Sequence, residues 1–165
     1  MGVCGSLGSR LSPEEVEAIR RYLADAREAL DQLRFLAGLP AEEVARDKTL
    51  RYSLRYAIIL LVEASVDAAV ALLEKLFEQP PSSYRESFLR LIEAGVIPAR
   101  VGEEMARLAA LRNAIIHRYW FIDDLRALNE AARGGIKAVE EFLHRLEECI
   151  EEAARGEAAT TQYAP

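Results

Sequence analysis

The sequence predicts an all-α protein, an antiparallel bundle of about five helices that dimerises through the bundle. Apolar residues recur at intervals of three and four along most of the chain, which is the period of an amphipathic helix. No segment of any length alternates apolar and polar residues as a half-buried strand does. Only 9 of the 165 residues are Gly and 6 are Pro, while 51% are hydrophobic. This composition is typical of a helical globular domain with a substantial core.

The first helix is predicted to begin at Ser12-Pro13-Glu14-Glu15. Ser is a preferred N-cap, Pro is favoured in the first turn, and a Glu three residues after the cap completes a capping box. One apolar face follows, and Gly38-Leu39-Pro40 ends the helix. The residues of that face are Val16, Ile19, Leu23, Ala26, Leu30, Leu33 and Leu36.

A second long helix is predicted from about Lys48 to Phe77, after a short turn over residues 41–45. Its apolar surface is wider than one neighbouring helix needs, so the helix is expected to be central or to lie at a subunit contact. Its main stripe consists of Leu54, Ile58, Leu61, Ser65, Ala68, Leu72 and Leu76.

Three further helices are predicted in the second half of the chain. Pro80-Pro81 precedes a helix over residues 84–94 that Ser83 caps, and another helix runs over residues 99–117. The last one begins after Asp123 or Asp124 and continues toward Ala154, with Gly134-Gly135 as a point where it kinks or divides. The connections are short, which favours antiparallel neighbours.

The domain is expected to cover residues 12–155, between a disordered leader over residues 1–11 and a disordered tail over 156–165. The longest strictly apolar stretch, Ala57 to Val62, is far shorter than the roughly 20 residues of a membrane span. Cys4 and Cys149 lie at opposite ends of the chain and are interpreted as free thiols in a reducing compartment. A cytoplasmic protein is therefore predicted.

The net charge of −6 is unevenly distributed. Residues 46–120 carry 11 Lys or Arg against 9 acidic residues, whereas the segments on either side, 1–45 and 121–165, are acidic. The negative net charge weakens non-specific polyanion binding, but it is compatible with a local nucleic-acid-binding cleft formed by the middle of the chain.

The two histidines, His117 and His144, have different surroundings in the sequence. His144 ends a Glu-x-x-His spacing that occurs in di-iron bundles, but such a site needs two of these motifs and further glutamates. His144 is therefore interpreted as a surface residue, and no metal site is predicted.

His117 lies in a polar string, Leu111-Arg112-Asn113-Ala114-Ile115-Ile116-His117-Arg118-Tyr119-Trp120. In a continuous helix Arg112 and Tyr119 share a face, whereas Arg112 and His117 point about 140° apart. For both to reach one phosphate, the helix must end near the histidine or a second subunit must complete the site. The residue pattern alone indicates a polar cluster at a helix end. This pattern is equally explained if Arg112 and Tyr119 pair with acidic residues and His117 caps the C-terminal end of the helix.

The spacing Arg112-x4-His117-x-Tyr119 resembles the R-x4-H-x-Y motif of HepT, a branch of the HEPN superfamily. The resemblance extends in order from about Leu54 to Leu146 and includes Ser83 to Phe88, Leu91 to Pro98 and Asp123-Asp124. The stretch Arg118 to Phe121 departs from the family pattern because it is more basic and aromatic than is usual there.

The resemblance implies a homodimeric toxin that cleaves RNA without metal or cofactor, and a cognate nucleotidyltransferase antitoxin as its partner. Arg112 and His117 match the catalytic pair, Asn113 occupies the polar position after the arginine, and Tyr119 matches the tyrosine that some antitoxins modify with AMP. Asn113 and Tyr119 are also expected to be accessory RNA-binding residues. If the helix persisted to Tyr119, the attached phosphate would lie beside Arg112 and block the site.

These residue types suit cleavage by the 2′-hydroxyl of RNA. Imidazole, with a pKa of about 6.5, exchanges protons near neutral pH, and a dimer supplies His117 twice, as base and as acid. The Arg112 guanidinium matches phosphate oxygens as charge develops on them. One alternative is a catalytically inactive HEPN-like module that binds nucleotide or substrate for a nucleotidyltransferase. The third interpretation is a helical dimer with a purely structural role.

Overall fold

The computed structural model describes residues 3–5 and 11–161, with side chains described as far as residue 155. Within those ranges all regular structure is helical and no strand occurs, so the predicted all-α class is confirmed. The α-helices are α1 (Pro13–Ala37), α2 (Ala41–Arg46), α3 (Lys48–Leu76), α4 (Tyr84–Glu93), α5 (Ala99–His117), α6 (Asp124–Ala127) and α7 (Ile136–Thr161).

α1 begins with the predicted capping box. The Ser12 hydroxyl accepts a hydrogen bond from the Glu15 amide at 3.2 Å, and the Glu15 carboxylate accepts one from the Ser12 amide at 2.8 Å. Two amides that lack a partner within the helix are thereby satisfied. Every residue of the predicted apolar face is buried, and α1 packs along α3 over most of its length.

α3 is the central helix of the bundle. The Asp47 side chain caps it by accepting a hydrogen bond from the Leu50 amide at 2.8 Å. It contacts α1, α2, α4, α5 and α7, which explains why its apolar surface is wider than one partner needs. By length and composition it could cross a membrane, but most of its apolar stretch is buried among the other helices, as in a core helix.

α4 and α5 form a closely packed pair at one side of α3. Gly102 on α5 allows this approach, because a Cβ at that position would lie only 3.2 Å from the Phe88 carbonyl oxygen and would overlap the Ile92 side chain. The Phe88 ring also meets the Phe142 ring of α7 edge to face, with centroids 5.6 Å apart. The core therefore fixes the position of α5, which carries the motif.

The predicted last helix is divided into three parts. After α6, residues Leu128–Gly134 form a π-helical segment, and α7 begins at Ile136. A Cβ at Gly135 would lie 2.9 Å from the Ala131 carbonyl oxygen, so the junction requires glycine. The boundary between the π-helical segment and α7 lies at the predicted glycine pair. α7 then continues to Thr161, beyond residue 155, where the domain was expected to end.

The prediction of free thiols was wrong, because Cys4 and Cys149 form a disulfide whose Cα atoms lie 5.2 Å apart. Residues Val3–Gly5 form a 3-10 turn that packs against α7 and buries Cys4 beside Cys149. A separation of 145 residues along the chain gave no sign that the two cysteines meet in the fold. These three residues of the expected leader are held to the domain, and most of the remaining leader lies outside the described residues.

Candidate active site

α5 ends at His117, which meets one of the two conditions given above for Arg112 and His117 to reach one phosphate. Arg118 leaves the helical conformation, with φ −135° and ψ 35°, although its amide still donates to the Ala114 carbonyl at 2.8 Å. A 3-10 turn, Tyr119–Phe121, follows. Tyr119 is therefore not on a helical face that it shares with Arg112. A continuous helix through Tyr119, on which a phosphate attached to Tyr119 would lie beside Arg112, is therefore not present.

Arg112 is held on the side of α5 that faces α3 and α4. Its side chain is only 16% exposed and forms an ion pair with Glu63 of α3. Its guanidinium lies over the Tyr84 ring of α4, 5.0 Å from the centroid, and donates to the Asn113 side-chain oxygen at 3.0 Å. These contacts fix the planar guanidinium from three directions.

Glu63 contacts both Arg112 and Tyr84. Its second carboxylate oxygen accepts a hydrogen bond from the Tyr84 hydroxyl at 2.7 Å. That hydrogen bond, with burial as a second cause, raises the pKa of Tyr84 above its usual value. The Arg112 Nε–H is buried and has no hydrogen-bond partner among the described residues. A buried donor without a partner is energetically costly.

His117 is exposed and makes no hydrogen bond or ion pair with any described residue. Within one chain it therefore shares none of the polar contacts that hold Arg112. The structure brings Arg112 and Asn113 together but does not bring the arginine and histidine together. This separation agrees with the 140° estimate for an ideal helix.

Tyr119 and the two residues after it form an exposed aromatic turn. Tyr119, Trp120 and Phe121 are 61%, 62% and 78% exposed, and the neighbouring rings contact one another. The Tyr119 hydroxyl makes no hydrogen bond with the described residues, so it is open to reagents from solvent.

An ion pair between α3 and α6 fixes the base of this turn. The Arg55 guanidinium donates to both oxygens of the Asp124 carboxylate, at 2.7 and 2.9 Å, and to the Tyr119 carbonyl at 3.4 Å. The hydrogen bonds with Asp124 raise the pKa of Arg55 above its usual value. A bidentate pair of this kind sets both position and orientation, so it anchors the turn on α3.

Sequence reasoning missed Glu63, Tyr84 and Arg55. Glu63 did carry a signal, because it is the only charged residue in the run from Ala57 to Val66. A charge in such a run is expected to have a partner when the helix is buried. Its partner could not be identified without knowing which helices pack on α3.

His144 is on the surface of α7, as the sequence indicated. Its Nε2 lies 3.2 Å from a Glu148 oxygen one turn further on, and its side chain is 66% exposed. Within the described residues, no group of three or more His, Cys, Asp and Glu side chains is arranged to hold a metal ion.

Comparison with known proteins places these observations in a family context. A protein of Archaeoglobus fulgidus named "Putative RNase" is 28% identical over 136 residues, which cover 82% of this chain and 90% of that protein. Two solved structures share the fold. The tri-AMPylated HEPN toxin of Shewanella oneidensis, in complex with an MNT antitoxin, has a TM-score of 0.72 at 20% identity and covers 79% of this chain and 97% of its own.

The second solved structure is YutE of Bacillus subtilis, described as a cytosolic protein of unknown function. It has a TM-score of 0.70 at 17% identity, with 87% of this chain and 93% of that chain covered. The model of the family described as "Ribonuclease HepT-like" matches residues 16–146, which include most of α1, all of α2 to α6, the first part of α7 and the motif. This chain belongs to the HepT-like ribonuclease family.

Proposed function

We propose that this chain is a HepT-type toxin, an RNA endonuclease that a nucleotidyltransferase antitoxin neutralises. The observation that carries the proposal is the end of α5 at His117, which leaves an unpaired imidazole in solvent one turn beyond a partly buried arginine. Membership of the HepT-like family supports the ribonuclease activity. The Shewanella oneidensis structure of a HEPN toxin with an MNT antitoxin supports the kind of partner.

The proposed reaction needs no group beyond the side chains of two subunits. His117 of one subunit accepts the proton of an RNA 2′-hydroxyl, and the oxygen attacks the adjacent phosphorus. The protonated His117 of the other subunit gives its proton to the departing 5′-oxygen. The products are a 2′,3′-cyclic phosphate and a 5′-hydroxyl, so atoms and protons balance.

Arg112 is proposed to stabilise the phosphate as negative charge develops. Its fixed guanidinium plane supports this role, because preorganised donors stabilise a transition state without rearranging. Glu63 and Tyr84 act through Arg112 as positioning residues. Asn113 is proposed as an accessory RNA-binding residue, since its side chain already contacts the guanidinium.

Growth of cells that express the chain alone tests the proposal. We expect growth arrest, and we expect His117→Ala to relieve it. His144→Ala is the matched control, since it removes the other exposed histidine of the chain and should leave the arrest unchanged. Equal toxicity of the native chain and its His117→Ala variant would exclude His117 from the activity.

Tyr119 is proposed as the residue that the antitoxin modifies with AMP. Its exposure and its free hydroxyl support this, because a transferase needs access to the oxygen that forms the new phosphodiester bond. The expected result is a mass increase of one AMP or more after co-expression with the antitoxin, absent in Tyr119→Phe. Intact-mass spectrometry provides the measurement, and an unmodified chain in a fully neutralised complex would mean that the antitoxin acts by masking.

A second candidate function is a catalytically inactive module that binds nucleotide or substrate for a nucleotidyltransferase. The separation of Arg112 from His117 within one chain favours it, since binding does not require the two groups to meet. The growth assay separates the two candidates, because an inactive module causes no arrest and His117→Ala changes nothing.

We also propose a cytoplasmic location, where both the RNA substrate and a soluble antitoxin would be found. The fold relative from Bacillus subtilis is described as cytosolic, which supports the same compartment. Glutathione and thioredoxin act against disulfides there, so the state of Cys4 and Cys149 is best measured by trapping thiols at lysis.

A further inference from the structure

A cleft of about 730 Å³ lies beside the motif, between α5 and the segment that runs from Arg118 through α6 into the π-helical turn. Its volume is in the range of small-molecule sites, roughly 300–1,000 Å³. Ala110 and Ala114 line its α5 wall. Both alanines lie within about 60° of His117 around the helix, from 3.6 residues per turn. Leu108 and Leu111 line the same wall farther around the helix, so the cleft extends from the edge of the face that carries His117, and neither His117 nor Arg112 lines it.

The walls of the cleft are apolar over much of their area. Leu108, Leu111 and Ile122 contribute aliphatic surface, and Phe121 adds a ring that is 78% exposed. A flat aromatic ring exposed to this extent beside an apolar recess is suited to stacking on a planar ligand.

Four of the six charged residues of the cleft form two ion pairs, and Arg118 and Asp123 form none. The Asp123 carboxylate caps α6 by accepting a hydrogen bond from the Arg126 amide at 3.2 Å. Arg107 is paired with Glu104 at 2.7 Å, and Arg126 is paired with Glu130 at 2.6 Å. Arg118 has no ion pair or hydrogen bond from its side chain to any described residue. A single unpaired guanidinium matches a single phosphate group, because Arg binds phosphate oxygens in a planar, bidentate manner.

We propose that this cleft binds one unstacked nucleotide of single-stranded RNA, next to the phosphate that is cut. The base stacks on Phe121 and fills the recess against α5, and Arg118 binds the phosphate of that nucleotide. Arg118 directly follows His117 in the chain, so the bound nucleotide lies beside the reacting group. The inference rests on the proposed ribonuclease function and adds to it a requirement for an unpaired base.

Binding of a fluorescently labelled hexauridylate tests the inference, measured by anisotropy in the His117→Ala background, where no cleavage occurs. Ala110→Phe fills the cleft from an exposed position, Phe121→Ala removes the ring, and Arg118→Gln removes the charge. Each is expected to weaken hexauridylate binding about fivefold or more. Fivefold is about the lower end of the affinity loss expected when one stacked base loses its contact. Trp120 is the only tryptophan of the chain, so quenching of its fluorescence gives a second signal next to the cleft.

Two variants are matched controls. Ala24→Phe places the same ring at an exposed alanine of α1, and Arg85→Gln removes an exposed arginine of α4. Both should bind hexauridylate as the His117→Ala parent does. Unchanged affinity in all three cleft variants would overturn the inference, even if the native chain cleaves RNA. Weakened binding in the cleft variants alone supports it, even if the native chain proves not to cleave RNA.

Discussion

Arg112 illustrates how a motif residue depends on neighbours that the motif does not include. Its positive charge is compensated by Glu63, and its plane is fixed by Tyr84, so two helices besides α5 determine where it points. An arginine that binds phosphate gains from this arrangement, because its orientation is set before substrate arrives.

Glu63→Gln tests the positioning of Arg112. The amide keeps an oxygen that accepts from the Tyr84 hydroxyl but removes the charge that pairs with Arg112. We expect kcat for RNA cleavage to fall about 10- to 100-fold, because a misplaced catalytic group is costly, with a smaller effect on KM. The free energy of unfolding should fall by about 1–2 kcal/mol, less than for a fully buried pair because Glu63 is partly exposed.

Glu74→Gln is the control for this experiment. Glu74 is exposed further along the same helix, so its substitution should change neither kcat nor the unfolding free energy measurably. An unchanged kcat in Glu63→Gln would contradict a positioning role, whatever happens to stability.

The residue types of the motif also predict how cleavage depends on metal ions. Imidazole and guanidinium groups can transfer the protons and bind the phosphate by themselves, so we expect cleavage to persist in excess EDTA. The products should end in a 2′,3′-cyclic phosphate and a 5′-hydroxyl, which end-group analysis by mass spectrometry identifies. Loss of activity in EDTA and its return with a divalent ion would contradict this mechanism.

At the scale of helices, the start of α4 depends on one carboxylate. Glu86 accepts hydrogen bonds from the Ser82 side chain and amide and pairs with Arg90, and these contacts lower its pKa from 4.5 to about 2. A pKa lowered by folding means that the ionised form is preferred in the native state. The resulting stability is present above pH 4.5 and is lost as the pH falls toward 2.

We therefore expect Glu86→Gln to lower the Tm at pH 7 but not near pH 2. Thermal unfolding followed by circular dichroism across this pH range measures the difference. Glu93→Gln is the control, since Glu93 is exposed at the other end of α4. A Tm difference that does not change with pH would show that Glu86 acts through shape and not through charge.

The helices that were predicted well are those with strong local signals. α1 has a capping box and a regular apolar face, and both are present in the structure. The last helix was predicted less well, because the π-helical turn over Leu128–Gly134 depends on how α6 and α7 pack on their neighbours. Glycines at 134 and 135 indicated a break there without indicating its form.

The candidate site was predictable only as far as the motif extends. Arg112, Asn113, His117 and Tyr119 followed from the sequence string, and their catalytic roles stay predictions. Glu63 is 49 positions before Arg112 in the chain, so their pairing depends on the packing of α3 against α5. The residues next to Glu63 and Arg112 in the sequence do not indicate this contact.

At the scale of the whole molecule, the two-histidine mechanism requires a dimer. Light scattering of the pure protein at micromolar concentration should give twice the monomer mass of 18.4 kDa. Three exposed aromatic residues of α1 and α3 support association: Phe35, Tyr52 and Tyr56. A monomer under these conditions would contradict the mechanism.

Mixed dimers provide a sharper measurement. At the same total protein concentration, a refolded equal mixture of native and His117→Ala chains should have about a quarter of the activity of the native protein, because only native homodimers contain two His117 side chains in this statistical mixture. If each subunit used its own histidine alone, about half would remain. His144→Ala chain in the same mixture should cause no loss.

The bond between Cys4 and Cys149 also changes what a protease can do to this molecule. It joins a residue near the start of the chain to one near the end, so all the helices from α1 to α6 lie within a single covalent loop. A single cut anywhere in that loop, for instance between α3 and α4, leaves both fragments attached to each other. Dispersal of the pieces requires a second cut or a reductant, so the redox state of the cell would help to set how quickly the protein is removed.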